Sequence, residues 1–272
     1  MSEKLQVVIE GSIAKVLINR PEKANALDRE LWNGIGECFR GLDGNSRVRV
    51  CVLSGEGKHF CSGIDLQLLQ EIGLQSEEID CEGRKRDFLR REILLLQSAF
   101  NEIERCRKPV IAAVQGTCIG GGLDLISACD LRYSTRNVSF QIKEIDLGII
   151  ADMGSLQRLP ALMPQGAVRE LALTGRVFHG EEAYSLGLLN GCFEDRESMM
   201  ISVQGIAQSI SEKSPLVVSG IKENLLYARD HTVSESLSHV AAWNAAMLLS
   251  TDLRNHRLIL PKLASHLDPD QC

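Results

Sequence analysis

The chain has 272 residues, 44% of them hydrophobic and 24% charged, which allows a sizeable folded core and excludes disorder as the default. A formal net charge of −6 argues against nucleic acid or an anionic membrane surface as the main partner, and no apolar run approaches the roughly 20 residues of a membrane span. The nine cysteines are odd in number, scattered and without a Cys-x-x-Cys pair, which fits buried thiols in a reducing compartment and gives no zinc signature.

In chain order, Leu5–Ile9 and Ala14–Asn19 are β-branched apolar runs around Glu10-Gly11-Ser12, the pattern of a hairpin. A loop over Arg20–Asn25 leads to Asp28, suited to cap a helix reaching about Leu42 with Leu31, Ile35, Cys38, Phe39 and Leu42 on one face. Val48–Leu53 reads as a buried strand that empties into the glycine-spaced loop Ser54–Leu66. Gly73–Asp87 has the polar, charged composition of a mobile loop. Phe88–Arg107 has a helical period with Ile93, Leu96, Phe100 and Ile103 inward, and Pro109 stops it.

Val110–Val114 is a second buried strand, and it runs through Gly116 into Gly120-Gly121-Gly122-Leu123-Asp124, where a helix starts. Leu131–Ser134 and Ser139–Ile142 read as strands, Gly154–Leu159 and Ala167–Thr174 as helices, and Val177–Leu189 carries a short helix. From Glu197 the pattern is helical, with Ser214-Pro215 opening one helix and Val233–Leu249 forming another. Trp243, Ala246, Met247 and Leu248 give an apolar surface of the kind that packs on a neighbouring subunit. The fold class is α/β, with a core over residues 1–195 and a helical, oligomer-forming region over 196–272.

The two strand exits are alike, one ending in Gly63-Ile64-Asp65-Leu66 and the other in Gly122-Leu123-Asp124-Leu125. A glycine turn at a helix start presents backbone N–H groups and the positive dipole end, a place able to hold a developing oxyanion. On spacing alone the triple glycine is equally a tight strand-to-helix connection. Asp65 is as well suited to cap a helix as to line a substrate loop, and Asp152 as well suited to cap the helix near Gly154 as to do chemistry. Glu144 and Asp146 alternate on a strand-like run, so one faces inward, and Asp146 is read as a solvated or structural charge. Cys61 and Cys118 lack a histidine partner and read as small buried fillers. Gly55-Glu56-Gly57-Lys58 fails the phosphate-loop spacing, no glycine cluster fits GxGxxG with a downstream acid, and the six histidines form no ligand spacing.

Phe60-Cys61-Ser62-Gly63-Ile64-Asp65-Leu66, Lys108-Pro109-Val110-Ile111-Ala112-Ala113-Val114-Gln115-Gly116, Gly120-Gly121-Gly122, Cys129-Asp130 and Gln157-Arg158-Leu159-Pro160 together resemble the crotonase (enoyl-CoA hydratase/isomerase) superfamily, over about residues 5 to 250. Within it, Gly122-Leu123-Asp124-Leu125, Lys143-Glu144-Ile145-Asp146-Leu147-Gly148 and Ile150-Ala151-Asp152-Met153-Gly154 resemble the dienoyl-CoA isomerase branch. Typical hydratases carry Glu at the position of Asp124 and a small neutral residue at that of Asp152.

The resemblance implies a superhelix of ββα units with C-terminal helices that build a homotrimer or a dimer of trimers. It implies an acyl-CoA thioester as substrate, no cofactor or metal, and a shift of 3,5-dienoyl-CoA to 2,4-dienoyl-CoA. The backbone N–H groups of Ile64 and Gly121 map to the oxyanion hole. Asp124, Glu144 and Asp152 map to the catalytic carboxylates, with Asp152 assigned as the base at C2, Glu144 as the acid near C6, and Asp124 as the group that tunes them. Lys23, Ala24 and Ala26 match the loop at the CoA adenine and phosphate end, although Lys23 also reads as a plain surface lysine. Ser62, Gly63, Ile64, Asp65, Leu66 and Gly122 complete the binding set. An enoyl-CoA hydratase or 3,2-enoyl-CoA isomerase is the alternative within the family, and a non-catalytic or RNA-binding scaffold is the alternative outside catalysis. The segment Arg254–Lys262 departs from the family's usual closing segment. The ends of the chain carry no signal, transit, peroxisomal or prenylation pattern, so cytosol is the default expectation, with mitochondrion or peroxisome if a precursor segment is removed.

Overall fold

The computed structural model describes residues 3–248 and 250–252. Along the chain it runs through β1 (Leu5–Glu10), β2 (Ile13–Ile18), α1 (Arg29–Gly44), β3 (Val50–Gly55), α2 (Leu66–Glu77), α3 (Glu82–Arg105), β4 (Val110–Val114), β5 (Thr117–Ile119) and α4 (Gly121–Ser127). Then follow β6 (Leu131–Thr135), β7 (Ser139–Gln141), a 3₁₀ turn at Glu144–Leu147, α5 (Ser155–Arg158), α6 (Gln165–Thr174), β8 (Phe178–His179), α7 (Gly180–Ser185), β9 (Gly191–Phe193) and α8 (Arg196–Ser211). Two more helices, α9 (Pro215–Tyr227) and α10 (Val233–Met247), form a second compact unit that begins at Glu212.

Six strands form one sheet in the order β1-β2-β3-β4-β6-β9, antiparallel only at the β1/β2 hairpin, while β5, β7 and β8 form a smaller sheet. The chain therefore lays one strand in the large sheet and the next in the small one before turning into helix, as in β4-β5-α4 and β6-β7 with the helices after it. These are the repeated strand-strand-helix units expected from the motifs. Continuous apolar runs suit the inner strands because both sheet faces are covered. Along β3, Val50 and Val52 face α8 with Ile111, Ala113, Met199, Val203 and Ala207, whereas Cys51 and Leu53 face the main core with Val110, Ala112 and Val114.

α1 starts where Asp28 accepts the Leu31 N–H at 2.9 Å, and it buries the stripe Leu31, Trp32, Ile35, Cys38, Phe39 and Leu42. Trp32 stacks on Phe100 of α3 at 5.0 Å and donates its indole N–H to the Leu96 carbonyl at 2.7 Å. Gly36 lets the two helices close up, since a Cβ there would stand 3.2 Å from the Ala99 Cα.

Three local expectations are corrected. Ile93, expected to face inward on α3, is 37% exposed, and the buried stripe begins at Leu96. Gly73–Asp87 is not a loop: α2 continues to Glu77 and α3 begins at Glu82. Leu68, Ile72 and Ser76 recur every four residues as a buried stripe, which outweighs the polar composition between them. Glu144 and Asp146 stand on a 3₁₀ turn ended by Gly148 at φ 74°, not on a strand. Three residues per turn still separate positions two apart, so the inward and outward sorting survives. The expected end of the last helix at Leu249 and the segment Arg254–Lys262 lie outside the described residues.

Phe100 is 0% exposed, so Phe100→Ala is expected to lower stability by about 3–5 kcal/mol in urea denaturation, against about 0.5 kcal/mol or less for Leu94→Ala, whose side chain is 44% exposed. Equal effects at the two positions would contradict this core.

Candidate active site

The two look-alike strand exits lie side by side. Cys61 and Cys118 pair as a parallel bridge, with the Cys61 N–H donated to the Thr117 carbonyl at 3.0 Å and the Ile119 N–H to the Cys61 carbonyl at 3.2 Å. Gly120 takes φ 51° and ψ −125°, a conformation closed to side chains, and opens α4. Gly122 permits the contact itself, because a Cβ on it would lie 2.7 Å from the Cys61 carbonyl oxygen. The result sets the turn at Gly63–Ile64 against the turn at Gly120–Gly121: a Cβ built on Gly121 would be 3.6 Å from the Ile64 nitrogen. Neither the Ile64 nor the Gly121 N–H donates to an acceptor among the described residues. Two free donors from two turns make a cradle for one oxygen.

A third loop is strapped behind the first turn. The Leu27 N–H donates to the Gly63 carbonyl at 2.8 Å, the Asp65 N–H to Leu27 at 3.0 Å, and the Ser62 N–H to Ala24 at 3.1 Å. Asn25, fully buried at φ 57°, donates to the carbonyls of Glu56 and His59 and accepts from the Arg20 N–H. The Arg20 guanidinium reaches the Asp65 carboxylate at 2.6 Å and the Ala26 carbonyl at 3.0 Å. Asp65 also accepts the Gln67 N–H at 2.9 Å, so its side chain is the cap of α2 and half of an ion pair. The backbone contacts and the Arg20 pair pull its carboxyl below the ordinary range.

A cavity of about 470 Å³ opens beside the two turns. Lys23 and Ala26 form one wall, Ser62–Gln67 another, and Ile119–Gly121 a third, with Lys143, Glu144, Leu147 and Ile149 opposite. Ala24 and Gly122 support these walls without lining the space. Glu144 stands next to the glycine turn, its Oε1 3.0 Å from where a Cβ on Gly120 would be. Asp146 points its charge elsewhere, accepting from Lys143 at 2.8 Å and Gln141 at 3.0 Å.

Asp124 and Asp152 are not on the cavity wall. Asp124 is 0% exposed; its Oδ1 accepts the Ser155 N–H that opens α5 at 2.6 Å, and its Oδ2 is buried without a partner among the described residues. Asp152 is half-buried, and its backbone carbonyl accepts from the Gln97 side chain at 2.6 Å. It does not cap the helix, whose first N–H is taken by Asp124.

Electrostatics ties the three acids together. Burial raises the Asp124 carboxyl to about 6, with the Asp152 charge adding and the Ser155 hydrogen bond and Arg158 opposing. Burial, then the charges of Asp124 and Asp152, raise Glu144 to about 7. Burial also raises Asp152. By contrast, Cys61 and Cys118 are fully enclosed, and desolvation lifts the Cys61 thiol to about 12 and Cys118 well above its usual value, which excludes both as nucleophiles. Among the described residues no group of three or more His, Cys, Asp or Glu is placed to hold a metal ion.

Sequence reading missed Arg20, Asn25 and Gln97, which hold the loops, and Leu147 and Ile149 on the wall. Asn25 had one visible sign, a polar residue between two alanines in a loop otherwise free to be solvated. Gln97 had none, because a polar residue beside a helix's apolar stripe is ordinary.

The model of the enoyl-CoA hydratase/isomerase family matches residues 8–257. The chain is 48% identical over 244 residues to the peroxisomal Delta(3,5)-Delta(2,4)-dienoyl-CoA isomerase of Arabidopsis thaliana, covering 90% of this chain and 88% of that one. It is 46% identical over 242 residues to the human mitochondrial Delta(3,5)-Delta(2,4)-dienoyl-CoA isomerase, covering 89% and 74%. Among solved structures, the enoyl-CoA hydratase of Bacillus anthracis superposes with a TM-score of 0.83 at 26% identity, over 93% of this chain and 94% of that one.

The buried Asp124 carboxyl gives a stability signature. Its folded value of about 6 exceeds the ordinary 3.8. Between roughly pH 4 and pH 6 the unfolded chain loses this proton before the folded chain does, so this group lowers stability as pH rises, by about 3 kcal/mol in all, and contributes a constant cost above. Denaturation of wild type and Asp124→Asn at several pH values should show the variant gaining on wild type through that window. Parallel curves would contradict it.

Proposed function

The chain belongs to the enoyl-CoA hydratase/isomerase family, and on that premise we propose that it is an acyl-CoA isomerase converting 3,5-dienoyl-CoA to 2,4-dienoyl-CoA in the oxidation of unsaturated fatty acids. The observation that carries this reading is the pair of free N–H groups of Ile64 and Gly121 on a cavity wall with the Glu144 carboxyl beside them, raised by burial and by the charges of Asp124 and Asp152. The names of relatives at 45–48% identity support it.

The thioester carbonyl sits between the Ile64 and Gly121 N–H groups, each contributing roughly 3 kcal/mol to holding the enolate oxygen. A carboxylate then takes a proton from C2, and the electron pair spreads through the diene onto the carbonyl oxygen, C4 and C6. A second group returns a proton at C6, which leaves double bonds at C2 and C4. C2 adjoins the thioester carbonyl, so the carboxylate nearest the cradle acts there. We therefore pair Glu144 with C2 and Asp152, beyond the cavity wall, with C6, the opposite of the assignment read from sequence; the closeness of Glu144 to the Gly120 turn supports this pairing. Asp124, tied to Ser155 and off the cavity wall, helps to keep the Glu144 carboxyl raised. No cofactor beyond the CoA of the substrate enters this scheme. Lys23, at the cavity rim, is placed to meet the anionic end of CoA.

The exposed apolar side chains of α9 and α10, among them Val217, Ile221, Leu225, Val233 and Leu237, favour a homotrimer or a dimer of trimers. Relatives named peroxisomal and mitochondrial favour an oxidative organelle over the cytosolic expectation.

An ultraviolet assay should show 3,5-octadienoyl-CoA converted to the conjugated 2,4-isomer, with crotonyl-CoA hydrated far more slowly. The reverse preference would sink the isomerase reading. Glu144 must be ionised to act, so kcat/KM should fall as pH drops through about 7. Glu144→Gln should lose roughly 10²–10⁴-fold in kcat, and a variant keeping wild-type turnover would remove Glu144 from the mechanism.

A further inference from the structure

Helix α3 turns a buried stripe of Leu96, Ala99, Phe100 and Ile103 into the core, which fixes its rotation about its own axis. Beside that stripe stand Gln97, Asn101 and Glu104, four and three residues apart, a polar ridge along one side of the helix. All three meet the segment that carries Asp152. Gln97 donates to the Asp152 carbonyl at 2.6 Å. Asn101 accepts from the Arg158 guanidinium at 2.7 Å, and Glu104 accepts from it at 3.1 and 3.3 Å. Arg158, 8% exposed, also donates to the Met153 carbonyl at 3.3 Å. On the far side Asp124 holds the Ser155 N–H.

Residues 150–154 lie outside any helix or strand, and no backbone N–H among the described residues reaches the Asp152 carbonyl. Ala151, 4% exposed, and Met153 pack the segment against the core on either side of Asp152, while Ile150 is 76% exposed and Gly154 takes φ 128°. The hydrogen bond from Gln97 is the direct side-chain contact to Asp152 itself, the residue whose carboxyl must meet one carbon of the acyl chain. We propose that Gln97 is a positioning residue for Asp152, fixing the distal acid–base group through its carbonyl and making no contact with Glu144. This rests on the isomerase reading above. Misplacing a reacting group by ~1 Å costs roughly 10²-fold in rate, so one hydrogen bond to a residue outside any helix or strand is enough to matter.

The test compares the full chain as wild type, Gln97→Met, Gln97→Lys, Asp152→Asn and the double variant Gln97→Met/Asp152→Asn, with 3,5-octadienoyl-CoA as substrate. Methionine keeps the length and loses the donor, and lysine keeps a donor. Gln97→Met should lower kcat roughly 10–100-fold with KM within about twofold, while deuterium uptake at C2 from D₂O, the Glu144 step, stays at the wild-type rate. Gln97→Lys should recover part of the loss, and Gln97→Met should add nothing once Asp152 is Asn. An unchanged kcat, an additive double variant, or a parallel loss of C2 exchange would each overturn the proposal in favour of no role or a general structural one. If Gln97→Met does not fold, Gln97→Lys against wild type and the C2 exchange decide it in the same way. Should the wild type itself leave the dienoyl-CoA unchanged, the isomerase reading fails and the inference falls with it; a working wild type matched by Gln97→Met removes the inference alone.

Discussion

The rest of the molecule depends on one short backbone pairing, the bridge between Cys61 and Cys118. A donor on an oxyanion is useful only if it is already aimed before charge develops, because reorienting a dipole during reaction forfeits most of its worth. Here the aim is set by main-chain hydrogen bonds between two strand exits that are far apart in sequence. Those exits in turn leave adjacent parallel strands, β3 and β4, registered through Cys51–Ser54 and Val110–Ala113. The sheet, the bridge and the turns that carry the two free N–H groups are joined by continuous main-chain hydrogen bonds, and the loop held by Arg20 and Asn25 is bonded to them from behind.

Against that rigid donor pair stands a set of acids held in deliberate discomfort. Burying one carboxyl raises its pKa, and placing others near it raises it again, since like charges in a poorly hydrated place cannot all ionise. Asp124 is the extreme case, with one oxygen on the Ser155 N–H and the other buried without a partner among the described residues. Its cost to stability is returned as a Glu144 carboxyl able to exchange a proton near neutrality. The Asp124–Ser155 contact also joins α4 to the turn bearing Asp152, so the acid that sets the field is the same one that anchors its neighbour's segment.

Much of this was legible in the residues. Periodicity located the hairpin, α1, both central strands and, apart from Ile93, the apolar stripe of α3, because each buries a regular face. The likeness of Gly63-Ile64-Asp65-Leu66 to Gly122-Leu123-Asp124-Leu125 announced that two turns do one job, although only the three-dimensional pairing says that they touch. What composition hid was order without hydrophobicity. The α2 region looked like a loop since its stripe of Leu68, Ile72 and Ser76 is narrow, and the carbonyl tethers from Gln97 and Asn25 leave no pattern in sequence because any flexible polar side chain can make them. Asp65 illustrates the limit: cap and substrate-loop readings were equally good, and in the structure its carboxylate is held by Arg20 and the Gln67 N–H while the residue lines the cavity.

The two sulfur atoms at the heart of the bridge carry a consequence of their own. Peroxide and electrophiles attack cysteine as the thiolate, and a thiol lifted to about 12 like that of Cys61 is almost never in that form at neutral pH. Cys61 also uses its sulfur to accept the Gly63 N–H at 3.4 Å, so an added oxygen there would push directly on the oxyanion turn. Complete enclosure of Cys61 and Cys118 therefore keeps both thiols, which lie beside the proposed oxyanion cradle, out of an oxidant's reach. Among the described residues, exposed Cys81, at the head of α3, is by comparison a thiol that an oxidant can reach, and it is separated in sequence from either turn.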